Sequence, residues 1–157
     1  IIDPDNALFN AAGDMPERIR QFCRSTGQPE PEGIGGIVRT IFESLALRYR
    51  WTAEKLEELT GKRYSTINMI GGGTKDQLLC RFCAAGTGRK VLAGPVEATA
   101  IGNILMQAYA GGEIASIYEA RRIVRNSFDI KVYEPDNTLG GNWDAAYAKF
   151  LSITGEN

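Results

Sequence analysis

The chain contains no histidine. That removes the commonest metal ligand and the usual general base at neutral pH, and so argues against a zinc hydrolase or a Ser-His-Asp triad. Cysteine is scarce, with only Cys23, Cys80 and Cys83. Cys80 and Cys83 form a CxxC, a spacing used for redox chemistry and for half of a zinc site. No second CxxC and no histidine completes four ligands. The pair also falls inside a helical pattern, where free cysteines behave as small hydrophobes. The competing redox reading predicts a reactive thiol of low pKa. A basic excess is lacking too: 18 Lys and Arg face 19 Asp and Glu, for a net charge of −1. Nucleic-acid partners demand a basic face, so none is expected. No apolar run approaches the roughly 20 residues of a membrane span, and no signal-peptide pattern opens the chain. A soluble, cytoplasmic protein without a membrane partner is the expectation.

Hydrophobic residues make up 43% and charged residues 24% of the 157 positions, enough for one domain with a core. The chain opens on Ile1 rather than Met, and it is read as a piece of a longer one. Turn chemistry at Asp3-Pro4-Asp5-Asn6 marks the first 14 residues as loop. Asp14 is placed to cap a helix running to Thr26 and closed by Gly27. A Pro/Gly-rich connector, 28–36, follows. A long helix is then predicted from the stripe Ile34, Ile37, Val38, Ile41, Leu45, Leu56 and Leu59, stopping at Gly61.

Beyond Gly61 the pattern alternates. Tyr64–Ile70 reads as a strand, Thr74–Ala85 as a helix and Lys90–Ala93 as a second strand. A helix after Gly94-Pro95 runs to about Ala110. Ser116 and Glu119 have capping-box spacing for another, to about Asn126. Phe128, Ile130 and Val132 alternate as a third strand, and Asn142 is placed to cap a terminal helix through Ile153. Strand–helix alternation implies an α/β fold with a mainly parallel sheet. Three strands are few for a sheet covered on both faces. The missing strands are expected to precede Ile1. Such a gap leaves an open sheet edge and an apolar patch, and predicts either self-association or retention of the missing segment.

Two stretches carry the candidate chemistry. Ile70-Gly71-Gly72-Gly73-Thr74-Lys75-Asp76-Gln77 sits at a strand-to-helix junction. Glycines let a ligand approach the backbone, and a helix N-terminus favours an anion or the polar edge of a nucleotide. The same residues also fit a tight turn before a helix capped by Thr74 and Gln77. Neither a Walker A loop nor a dinucleotide fingerprint matches the spacing. The second stretch is Gly94-Pro95-Val96-Glu97-Ala98-Thr99-Ala100-Ile101-Gly102-Asn103. Pro95 suits the first turn of a helix, and Ala98, Ala100 and Gly102 suit close packing. Glu97 is a candidate carboxylate without a second acid at a persuasive spacing. Arg121, Arg122 and Arg125 read as a solvated helix face, and Tyr49, Trp51 and Trp143 as packing residues.

The run from Ile67 to Leu79 resembles the adenosine motif of the FGGY carbohydrate kinases. The run from Gly94 to Asn103 resembles the corresponding helix start in the rhamnulokinase branch of that family. Glu43-Ser44-Leu45-Ala46-Leu47-Arg48-Tyr49, Ile2-Asp3-Pro4-Asp5 and Gly27-Gln28-Pro29 continue the likeness, which covers nearly the whole chain. The resemblance implies an RNase H-like, actin-like ATPase fold, with residues 1–157 forming part of the C-terminal lobe on the nucleotide side. It implies ATP and Mg²⁺ as cofactors and a ketose as substrate, L-rhamnulose becoming L-rhamnulose 1-phosphate. Gly72 would meet the nucleotide through its backbone, with Gly71, Gly73 and Thr74 shaping the turn. The family often carries Asn where this chain has Asp76; both accept a hydrogen bond, but only Asn also donates one. The residues alone suggest phosphate at this turn and the resemblance suggests adenosine. The loop lacks a well-placed cation for phosphate, which favours adenosine. No catalytic residue and no metal ligand is expected within these residues, because the resemblance puts the aspartate base and the phosphate loop in an N-terminal lobe. The alternatives are another sugar or polyol kinase of the family, and a non-catalytic nucleotide-binding module of actin-like fold.

Overall fold

A computed structural model describes residues 1–136 and 138–156. Asp14 caps α1 (Met15–Ser25) by accepting from the Glu17 N–H, and the helix turns Ile19, Phe22 and Cys23 into the core. α2 (Gly33–Thr60) is about 40 Å long at 1.5 Å per residue. It stops where Gly61 takes φ +65°, a left-handed value at which a side chain would be strained. Of the predicted stripe only Ile37 is buried, and the enclosed middle of the helix is instead Ser44, Ala46 and Leu47. Ile34 and Leu59 at the two ends are 85% and 83% exposed. The helix is longer than the body it packs on, so its ends project. Ser44 is buried in mid-helix because it serves both directions: its hydroxyl donates to Thr40 O and accepts from Ile2 N.

Three short strands follow the predicted order: β1 (Thr66–Met69), β2 (Lys90–Ala93) and β3 (Lys131–Tyr133). The sheet is ordered β1-β2-β3. β1 and β2 run parallel with Ile67 beside Val91, while β2 and β3 run antiparallel with Leu92 beside Val132. The sheet is therefore mixed rather than mainly parallel. Connectivity explains this. A single helix, α3 (Gln77–Thr87), returns the chain to the starting end between β1 and β2. Two helices, α4 (Ala98–Ala110) and α5 (Ile117–Ser127), lie between β2 and β3, and the second undoes that return.

One face of the sheet is covered. Val91, Cys83 and Ala84 pack together with Tyr49, Ile67, Met69 and Tyr133. The small residues Ala84, Ala85 and Gly86 let α3 lie close to α2 and to α6 (Trp143–Thr154). At Gly86 an added Cβ would stand 2.9 Å from the Trp143 ring. Asn142 caps α6 through the Ala145 N–H, and Trp143, Tyr147 and Phe150 complete a core with Leu47 and Phe82. Arg48 joins both ends of the chain to α2. It donates to Asp3 at 2.7 Å and to Glu156 at 2.9 and 3.0 Å, with its guanidinium over the Trp51 and Phe150 rings.

Candidate nucleotide site

The glycine turn follows the C-terminal end of β1, beside the end of the parallel strand β2. In open α/β sheets ligands bind outside the carboxyl ends of the strands. Gly71 has φ +81° and ψ −163°, a conformation essentially restricted to glycine. Residues Gly72–Lys75 then form a 3-10 turn. The Thr74 hydroxyl donates to Gly71 O at 2.7 Å, and the Thr74 N–H bonds the same carbonyl. Thr74 is thereby committed to closing the turn and does not cap α3. The cap is Asp76. It is extended at φ −93° and ψ 106°, and its Oδ1 accepts from the Leu78 and Leu79 N–H groups at 2.9 and 3.1 Å. The helix accordingly begins at Gln77, three residues later than predicted. A capped N-terminus with a carboxylate across it suits an incoming phosphate poorly, because the donors are taken and the charge repels.

Gly71, Gly72, Gly73, Thr74 and Asp76, the residues singled out in sequence, thus form one turn with distinct duties. Gly71 satisfies a backbone demand, Thr74 and Asp76 satisfy hydrogen bonds, and at Gly73 an added Cβ would make only an ordinary contact with Leu79 at 3.7 Å. Gly72 satisfies none of these. Its φ lies outside the left-handed region, and an added Cβ would meet nothing within 4 Å. Neither the backbone nor the packing of this chain requires glycine there.

The second stretch reaches the same place by a different route from the one its sequence suggested. Pro95 is not in the first turn of a helix. Gly94 takes φ +123°, residues 95–97 complete a turn, and α4 starts at Ala98. Gly94 N–H donates to Met69 O at 2.9 Å, and the Gly71 N–H reaches Pro95 O at 3.4 Å. These two bonds lash the glycine turn to the exit of β2, a link that residue spacing alone did not reveal. At Gly94 a Cβ would stand 3.2 Å from Asp129 O, which accounts for this glycine by close approach.

Beneath the turn lies Cys80, with Sγ 3.6 Å from Met69 Sδ and 3.9 Å from Gly73 O. Burial raises its thiol above the ordinary range, and the Asp76 charge adds to this. Burial pushes Cys83 up to about 12, with Cys80 contributing. All three cysteines are buried and free, so the pair is core rather than a redox centre. Among the described residues no group of three or more Cys, Asp or Glu side chains gathers where a metal would sit.

A larger concavity of about 730 Å³ opens at the opposite end of the strands, lined by Arg50, Glu57, Arg89, Asn142 and Asp144 among others. Its charges are spent on each other. Arg50 meets Asp144 at 2.8 Å and Glu54 at 3.0 Å, and Arg89 meets Glu57 at 3.0 Å. This cleft is an ion-paired joint between α2, the end of α3 and α6.

The model for the C-terminal domain of the FGGY family of carbohydrate kinases matches residues 1–111, a stretch that includes the turn, Asp76 and the start of α4. The chain belongs to that family. It is 46% identical over 150 residues to a rhamnulokinase of Bacteroides thetaiotaomicron, covering 96% of this chain and 30% of that protein. A rhamnulokinase of Ligilactobacillus salivarius is 39% identical over 151 residues, covering 96% and 31%. One of Halalkalibacterium halodurans is 41% identical over 132 residues, covering 84% and 28%. The chain therefore spans under a third of the length of these curated relatives. No helix among the described residues is long and apolar enough to cross a membrane.

Proposed function

We propose that this chain is the nucleotide-side part of the C-terminal lobe of an ATP-dependent carbohydrate kinase, acting in the cytoplasm on L-rhamnulose to form L-rhamnulose 1-phosphate. The reading of the substrate rests on the relatives, which are named rhamnulokinases. The reading of the site rests on Gly72, a glycine that neither dihedral nor packing explains, at the strand ends where a nucleotide lies. A bare backbone there lets the flat face of adenosine approach to contact distance. Gly71 and Thr74 close and fix the turn, and Asp76 fixes the start of α3 beneath it. Asp76 reaches adenine only as an acceptor, through the oxygen that α3 does not use. In the reaction the sugar hydroxyl oxygen bonds to the γ-phosphorus of ATP, the bond to the β-phosphate oxygen breaks, and the hydroxyl proton passes to a base. Positioning and charge neutralisation dominate such a transfer, and Mg²⁺ serves the second. The turn offers no ligand set for Mg²⁺, so its contribution is to hold the adenosine end.

Titration of ATP into the chain and into its Gly72→Val variant tests this. A branched Cβ at the bare position is expected to weaken ATP binding about tenfold or more, a loss of about 1.4 kcal/mol. Unchanged affinity would make the turn purely structural.

A further inference from the structure

The chain leaves β2 at Gly94 and enters β3 at Lys131, with α4 and α5 between. Both helices stand off the body. α4 carries no charged residue from Ala98 to Ala110, yet neither helix buries any of its residues. The two ends of this excursion nevertheless meet at one point. At Gly94 the space that a Cβ would fill is bounded by Asp129 O at 3.2 Å, and by Cδ1 and Cα of Ile130 at 3.5 and 4.0 Å. Its φ of +123° is a conformation that residues with side chains rarely adopt. Gly94 is thus fixed twice, by its own dihedral and by the strand entry packed against it.

From this fixed point a chain of backbone bonds runs to the glycine turn. The Gly94 N–H donates to Met69 O at 2.9 Å and extends the β1–β2 ladder one step past Met69 and Ala93. The next carbonyl, Pro95 O, accepts from the Gly71 N–H. Gly71 O in turn accepts from the N–H and the hydroxyl of Thr74. Gly71 is therefore held on both sides, and Gly72, the bare position, follows it directly. We propose that Gly94 is a positioning residue of the nucleotide site. It stands behind the turn and, through Pro95 O, sets the place of the Gly71–Gly72 backbone that the adenosine meets. This rests on the reading of the turn as the adenosine contact. The bond from Gly71 to Pro95 is 3.4 Å long, beyond the ordinary range, so a small displacement breaks it. A methyl at residue 94 forces such a displacement, because Asp129 O or Gly94 itself must give way. Binding groups keep their function only within about 0.5 Å of the productive geometry.

Gly94→Ala tests this in the whole chain, beside Glu57→Gln, which loosens the opposite end of the strands. Without nucleotide, the Gly71 amide is expected to exchange its proton about tenfold faster in Gly94→Ala and at the parent rate in Glu57→Gln. In titrations near neutral pH, ATP affinity is expected to fall about tenfold in Gly94→Ala and to hold in Glu57→Gln, although both melt below the parent. Should Gly94→Ala fail to fold, Ile130→Ala removes the side chain that backs Gly94. It is expected to weaken ATP binding about threefold with circular dichroism unchanged. Parental ATP affinity in Gly94→Ala, or in Ile130→Ala where that variant stands in, overturns the positioning role alone. So does an equal loss in Glu57→Gln, since stability rather than position would then govern binding. A parent chain that binds no ATP overturns the functional reading and this role together.

Discussion

At the scale of single residues, the three glycines of the turn show how one residue type serves different physical ends. Gly71 is required by its dihedrals, whereas neither dihedral nor packing demands glycine at Gly72 or Gly73, where an added Cβ would meet nothing within 4 Å or only Leu79 at an ordinary 3.7 Å. The CxxC is the converse case, a suggestive spacing with an ordinary role. Cys83, pushed up to about 12 by burial, stays a thiol at pH 8. An aromatic disulfide reagent at that pH is therefore expected to leave Cys80 and Cys83 unlabelled in the folded chain and to titrate three thiols in denaturant. Prompt labelling of either residue in the native protein would restore the redox reading.

Among elements, the joint between α2 and β1 is one whose strength depends on pH. Glu57, near the end of α2, accepts from the Tyr64 N–H at 2.9 Å and pairs with Arg89. The backbone bond first, and then the Arg89 guanidinium, hold its carboxyl below the usual range. A lowered folded-state pKa stabilises above the unfolded pKa, and that stability is lost as pH falls through the folded value. Glu57→Gln is thus expected to lower the melting temperature near neutrality and to converge with the parent chain in acid, below about pH 4. Parallel melting curves at every pH would show that the pair contributes nothing to the joint. Helix starts illustrate the limits of pattern reading at the same scale. Asp14, Ser116 and Asn142 cap as their spacing predicts. Thr74 does not, because the 3-10 turn claims its hydroxyl first and leaves the helix to Asp76.

For the whole molecule, the parts present bear on activity. By the proposed function, these residues hold adenosine, while the base and the phosphate loop lie elsewhere in the longer enzyme. Incubated with ATP, Mg²⁺ and L-rhamnulose, the chain alone is expected to form no L-rhamnulose 1-phosphate in a coupled assay. Turnover in the ordinary kinase range, about 1–100 s⁻¹, would place the base within these residues instead.

The sequence by itself determined the element order, the caps at Asp14, Ser116 and Asn142, the strand at Lys90–Ala93 and the family, because these depend on local periodicity, turn chemistry and words of a dozen residues. Only the tertiary structure decided the direction of β3, which part of α2 is buried, the bonds from the glycine turn to Met69 and Pro95, and the bareness of α4. Each of these depends on residues distant in sequence meeting in space. Gly71 and Pro95 are far apart along the chain and joined by one hydrogen bond. The hydrophobicity of α4 is the same whether it is covered or open, so no reading of its thirteen residues distinguishes the two.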